Sequence, residues 1–98
     1  MEKFNELIKS DKPVLIDFFA TWCGPCKYMS PVLDKVKETV GEDARIVKID
    51  VDQFQDLSME YQIQTVPTFI LFKNGEVLWR HSGVVQEKAL TDIIKDHM

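Results

Sequence analysis

Val14-Leu15-Ile16-Asp17-Phe18-Phe19-Ala20-Thr21-Trp22-Cys23-Gly24-Pro25-Cys26 is the segment from which the architecture of this chain can be read. Its first half, Val14 to Ala20, is a near-continuous apolar run of strand length, the pattern of a central parallel strand covered on both faces. Its second half opens a helix: Met29, Val32, Leu33, Val36 and Val40 mark one face from about Cys26 to Val40, and Gly41 supplies a stop. Pro31 lies inside that helix and is expected to bend it, because its ring removes a donor and crowds the preceding turn. The junction puts both cysteines of the chain at the positive end of a helix. There the dipole and unpaired backbone N–H groups favour a thiolate. Such a pair is suited to exchanging disulfides more than to stapling the fold.

On the N-terminal side, Phe4, Leu7 and Ile8 recur at helical spacing and predict a short amphipathic helix ending near Ser10-Asp11-Lys12-Pro13. On the C-terminal side, Arg45 to Val51 reads as a second strand, and Phe54, Leu57 and Tyr61 mark a short helix after Asp52. Thr68 to Lys73 and Glu76 to His81 flank Asn74-Gly75, a two-residue hairpin signal whose turn positions both need positive φ. Gly83 breaks the last strand, and Ala89, Leu90, Ile93 and Ile94 stripe a final helix. The order α-β-α-β-α-β-β-α is that of an α/β protein: a βαβ unit followed by a hairpin. A right-handed crossover makes the first two strands parallel, with helices on both faces. Residues 1–98 read as one domain with no linker.

Bulk properties narrow the function. The 98 residues are 45% hydrophobic and 29% charged, ordinary for a soluble globular protein. A formal charge of −4 argues against nucleic acid, whose backbone calls for a concentrated Lys/Arg surface. No stretch approaches the length of a membrane helix, and Met1-Glu2-Lys3-Phe4-Asn5 lacks the apolar region of a signal peptide. The default expectation is therefore a cytoplasmic location. In that reducing compartment a C-x-x-C pair is catalytic or metal-binding more often than structural. A structural disulfide and a zinc half-site remain as alternatives. Zinc would need four ligands, and the other candidates, His81 and His97, lack the usual close spacing and read as surface residues.

Several ordered motifs together carry a family resemblance. Trp22-Cys23-Gly24-Pro25-Cys26 resembles the active-site motif of the thioredoxin family. Asp17 in the preceding strand, Pro31 in the following helix and Lys48 in the second strand continue the likeness, as do Thr65-Val66-Pro67-Thr68, Lys73-Asn74-Gly75 and Gly83. The similarity runs from about Leu7 to the C-terminus. It implies a thioredoxin fold: a four-stranded mixed sheet flanked by helices on both faces, lacking the N-terminal edge strand usual in the family. Arg45 to Val51 would then be a sheet edge, and exposed edges invite pairing with another chain. A monomer with weak edge-to-edge association is the corresponding expectation. Phe19 stands where many members carry a second tryptophan, a change that preserves packing.

The resemblance also implies roles. Cys23 is the expected nucleophile, more exposed than Cys26, with its sulfur close to the N–H of Cys26 and its pKa lowered by the helix start. Cys26 resolves the mixed disulfide, and the oxidised pair is the redox disulfide. Asp17, a carboxylate interrupting an apolar strand, is the expected general base toward Cys26. The alternative is a carboxylate satisfied by local hydrogen bonds. Lys48 tunes the charge of Asp17 or is a solvated strand lysine. Pro67 follows a cis peptide bond in the family, exposing the backbone of Val66 to an extended substrate; a trans proline opening the next strand is the alternative. Trp22, Gly24, Pro25, Val66, Pro67, Gly83 and Val84 make the substrate-binding rim. Trp79, Tyr28, Phe69 and Phe72 read as packing residues, and the dispersed methionines as gap fillers.

The implied activity is reduction of protein disulfides by dithiol–disulfide exchange. The Gly24-Pro25 spacer favours reduction, since a histidine in the second spacer position would stabilise the thiolate and shift the pair toward oxidation. No bound cofactor or metal is expected, and in the family electrons arrive from NADPH through thioredoxin reductase. The implied partners are protein disulfides and that reductase, with neither nucleic acid nor membrane. A non-catalytic module that uses the same groove only to hold a partner is the competing class.

Overall fold

The apolar run at Val14 becomes the middle of the sheet because every one of its neighbours can cover it. The computed structural model describes residues 2–98. Strand β1 (Val14–Phe19) has all but its last residue buried. It lies between β2 (Arg45–Asp50) and β3 (Thr68–Lys73), with β4 (Glu76–Ser82) beyond β3, in the order β2-β1-β3-β4. β2 runs parallel to β1, with Leu15 beside Ile46 and Asp17 beside Lys48. β3 is antiparallel to β1, and β4 antiparallel to β3. The four-stranded mixed sheet is the one expected, with β2 left as an edge.

Strand alternation divides the core in two. Leu15, Phe69 and Leu71 face α2 (Gly24–Val40) and α4 (Glu87–Lys95), meeting Met29, Leu33, Val36, Leu90 and Ile94. Val14, Ile16, Phe18, Ile70 and Phe72 face the other way, toward Phe4 and Ile8 of α1 (Glu2–Ile8) and Leu57 of α3 (Gln55–Glu60). Phe4 stands edge-on to Phe72, and Tyr61 packs against both rings. A seven-residue helix such as α1 is too short to persist alone, so this burial is what holds it. Its end is also tied to the hairpin: Asn74 N–H donates to Ser10 O and Gly75 N–H to Ile8 O, each at 2.8 Å.

Local chemistry sets the element ends. α2 begins at Gly24, two positions ahead of the expected Cys26, because Cys23 acts as its N-cap and Pro25 fits the first turn. The helix continues through Pro31 to Val40. Gly41 ends it at φ 59°, ψ −135°, its N–H donating to Lys37 O, and a short 3₁₀ turn (Gly41–Asp43) leads to β2. Asn74 and Gly75 adopt φ of 54° and 81°, as the hairpin signal requires. Arg80 on β4 donates through its guanidinium to Tyr61 O and Gln62 O, clamping the exit of α3. One packing expectation is corrected here. Tyr28 is 63% exposed, because its position on α2 turns away from the Met29–Leu33–Val36 face that meets the sheet. Trp79 packs partly on the core as expected and stacks on His81. Among the described residues no helix is long and apolar enough to cross a membrane.

Candidate active site

Strand, helix cap and two loops converge where β1 gives way to α2. Cys23 caps α2 in extended backbone, and its Sγ accepts the N–H of Cys26 at 3.1 Å. That is the helix-start geometry the motif implied, and it favours negative charge on this sulfur. In this structure Cys23 and Cys26 are joined in a disulfide with Cα atoms 5.3 Å apart. Both sulfurs sit in a small apolar cluster with Ala20, against Phe19, Val51 and Val66.

The expected difference in exposure is not found. Cys23 is 4% exposed and Cys26 7%. The physical reason is the loop ahead of β3: Val66 O lies 3.6 Å from Cys23 Sγ and covers it. The peptide between Val66 and Pro67 is cis, as expected. Beside that loop, Gly83 N–H donates to Pro67 O at 2.8 Å, so the turn after β4 is held against it. Val84 is half exposed. Gly24 has open space where a side chain would stand, and Pro25 is exposed at the same edge.

Trp22 is the most exposed aromatic side chain at this rim, at 70%. It is not loose, however: its Nε1–H donates to Asp52 Oδ2 at 2.9 Å. Asp52 was not legible as a site residue, because no spacing or periodicity links positions thirty residues apart. A cavity of about 390 Å³ opens beside it, lined by residues 52–57 and Glu60.

Asp17 lies beneath, on the face of β1 that meets α2. It is 2% exposed, and its Oδ1 is buried with no hydrogen-bond partner among the described residues. The locally satisfied carboxylate is therefore not what is found. Burial pushes its carboxyl up from 3.8 to about 6, against the opposing pull of the Lys48 charge. Lys48 stands beside Asp17 in the β1–β2 register, yet its Nζ donates to Ser30 Oγ on α2 at 3.1 Å. Ser30 carries no sequence signal that ties it to β2. His81 and His97 bond the backbone oxygens of Val84 and Ile93. Among the described residues no group of three or more His, Cys, Asp or Glu is placed to hold a metal.

Comparison with known proteins agrees with this geometry. The thioredoxin family model matches residues 1–96. The chain is 47% identical over 93 residues to "Thioredoxin Y, chloroplastic" of Oryza sativa subsp. japonica, covering 94% of this chain and 55% of the relative. It is 46% identical over 92 residues to "Thioredoxin Y1, chloroplastic" of Arabidopsis thaliana, covering 94% of this chain and 54% of the relative. The chain thus spans just over half the length of these plant proteins. Among solved structures, the oxidised form of mitochondrial thioredoxin 3 from Saccharomyces cerevisiae superposes with a TM-score of 0.87 at 42% identity, covering 97% of this chain and 88% of that one. The plant relatives correct the cytoplasmic expectation, since both are chloroplastic. That expectation rested on an N-terminus without an apolar leader, a feature that does not distinguish one soluble compartment from another.

Proposed function

Because this chain belongs to the thioredoxin family, we propose that it is a thiol–disulfide oxidoreductase that reduces protein disulfides, with residues 1–98 acting as one catalytic domain. The single observation that carries the reading is Cys23 Sγ at the start of α2, 3.1 Å from the Cys26 N–H and paired with Cys26 itself.

The reaction begins with the reduced dithiol. The Cys23 thiolate attacks one sulfur of a substrate disulfide, forming a mixed disulfide and releasing a substrate thiolate that takes up a proton. Cys26 loses its proton to Asp17, directly or through water, and its thiolate attacks Cys23 Sγ. The mixed disulfide breaks, the second substrate sulfur leaves as a thiolate that takes the proton held by Asp17, and Cys23–Cys26 remains oxidised. Two electrons have passed to the substrate. Asp17 suits the proton step because a carboxyl raised to about 6 can both accept and release a proton near neutrality. Lys48 tunes that carboxyl by its charge. Trp22, Gly24, Pro25, Val66, Pro67, Gly83 and Val84 receive the substrate, whose extended backbone pairs with that of Val66.

Thioredoxin reductase, drawing on NADPH, returns the pair to the dithiol, so the domain itself carries no bound cofactor. Pro25 in the spacer supports the reducing direction, because it adds no positive charge to hold the thiolate form. Insulin reduction with dithiothreitol tests the assignment. The protein accelerates precipitation of the insulin B chain, and Cys23→Ser abolishes the acceleration. A folded parent protein that leaves the uncatalysed rate unchanged is a binding module instead, and an equilibrium potential at the strongly oxidising end removes the reductase assignment.

A further inference from the structure

Between the two loops that form the walls of the groove runs a short chain of hydroxyls that the exchange chemistry leaves unused. Thr68, the first residue of β3, is wholly buried, and its Oγ1 donates to Thr65 O at 2.7 Å. The same Oγ1 lies 3.1 Å from Ser82 Oγ, its cross-strand partner at the end of β4. A threonine hydroxyl has one proton. With that proton given to Thr65 O, Ser82 must be the donor to Thr68. The order of donation is therefore Ser82 to Thr68 to Thr65. A further bond, Gly83 N–H to Pro67 O at 2.8 Å, closes the same junction from the backbone.

Consequences for the groove follow from what these groups adjoin. Thr65 and Pro67 flank Val66, whose carbonyl stands 3.6 Å from Cys23 Sγ. Ser82 precedes Gly83 and Val84 on the opposite wall. Thr65 itself is exposed, and no strand or helix contains residues 61–67. Backbone outside regular structure needs other bonds to fix its direction. Here the buried threonine supplies one of them.

We propose that Thr68 and Ser82 are positioning residues of the substrate groove: their hydroxyl chain sets the placement of the Thr65–Pro67 backbone against Cys23, and thereby selects peptide-borne disulfides over small ones. The inference rests on the oxidoreductase reading above. Its discriminating power lies in the two substrate classes. A protein disulfide brings a backbone that must align with Val66, whereas a small aromatic disulfide such as 5,5′-dithiobis(2-nitrobenzoate) brings none.

Single-turnover rates of the reduced protein with insulin and with that small disulfide give the test, read as the ratio of the two. Thr68→Val keeps the shape and removes the hydroxyl, and the ratio falls about five- to tenfold, the worth of one buried hydrogen bond. Thr68→Ser retains the hydroxyl and holds the ratio within about twofold of the parent. Ser82→Ala leaves the bond to Thr65 in place, and the ratio falls about two- to threefold. Ser82 lies on the exposed edge strand, so this variant keeps the inference open to refutation even where Thr68→Val folds poorly. Both rates dropping by one common factor in Thr68→Val and Ser82→Ala, or Thr68→Ser behaving like Thr68→Val, would falsify it. A parent protein inert toward both disulfides removes the oxidoreductase reading and this inference with it.

Discussion

Asp17 puts a desolvation cost inside the core. Its carboxyl is buried, its Oδ1 has no partner among the described residues, and its pKa is raised to about 6. A raised carboxyl binds protons more tightly in the folded state, so the fold gains nothing from its ionisation. Stability from this group is fully present below the unfolded value of 3.8, declines as pH rises toward about 6, and stays low above it. A shift of this size corresponds to about 3 kcal/mol at neutral pH. Asp17→Asn should therefore stabilise the protein at pH 7 by about 2–3 kcal/mol, and the gain should vanish near pH 4. Urea unfolding at both pH values measures it. The same variant should resolve mixed disulfides more slowly; unchanged resolution across pH would take Asp17 out of the proton step. An interrupted apolar strand made Asp17 legible in advance. Lys48 was legible only by resemblance, and its bond to Ser30 not at all, since that pairing joins a strand to a helix with no shared period.

Helices and strands here follow their own local rules closely, and the departures lie where elements touch. α2 ends at Gly41 because φ 59° with ψ −135° is accessible to glycine and strained for residues with a Cβ. Apart from its chain neighbours, no atom of the described residues stands within 4 Å of where that Cβ would be, so strain rather than clash sets the penalty. Gly41→Ala is expected to destabilise by about 1–3 kcal/mol with little change in insulin reduction, measured by urea unfolding alongside the insulin assay. A neutral result would mean that the turn re-forms in another conformation. α1 illustrates the other case. Its stripe of Phe4, Leu7 and Ile8 is readable, but its docking on the Asn74–Gly75 turn is not, because hydrogen bonds between distant segments of the chain leave no periodic trace. Tyr28 shows the same limit. An aromatic residue in an amphipathic helix looks like core until the neighbouring face is known.

Taken as one body, the described residues leave β2 without a partner strand on its outer side. Arg45 N and Val51 N bond toward β1, so alternation directs the backbone groups of Ile46 and Lys48 outward, while Asp50 O is taken by the N–H groups of Gln53 and Phe54. Sedimentation velocity should find a monomer at low micromolar concentration and weak, reversible association at high concentration; a tight dimer through another surface would contradict the edge as the point of contact. Residue order alone was enough for the strand–helix junction, the cysteine pair on a helix start, the hairpin and the apolar stripes, because each arises from forces among near neighbours. Packing settled what lies between distant segments: the carbonyl of Val66 closing over Cys23, the Asp52 carboxylate holding Trp22, and the hydroxyl chain from Ser82 to Thr65. Those contacts bring together groups from separate segments, and their spacing along the chain carries no signal that they will meet.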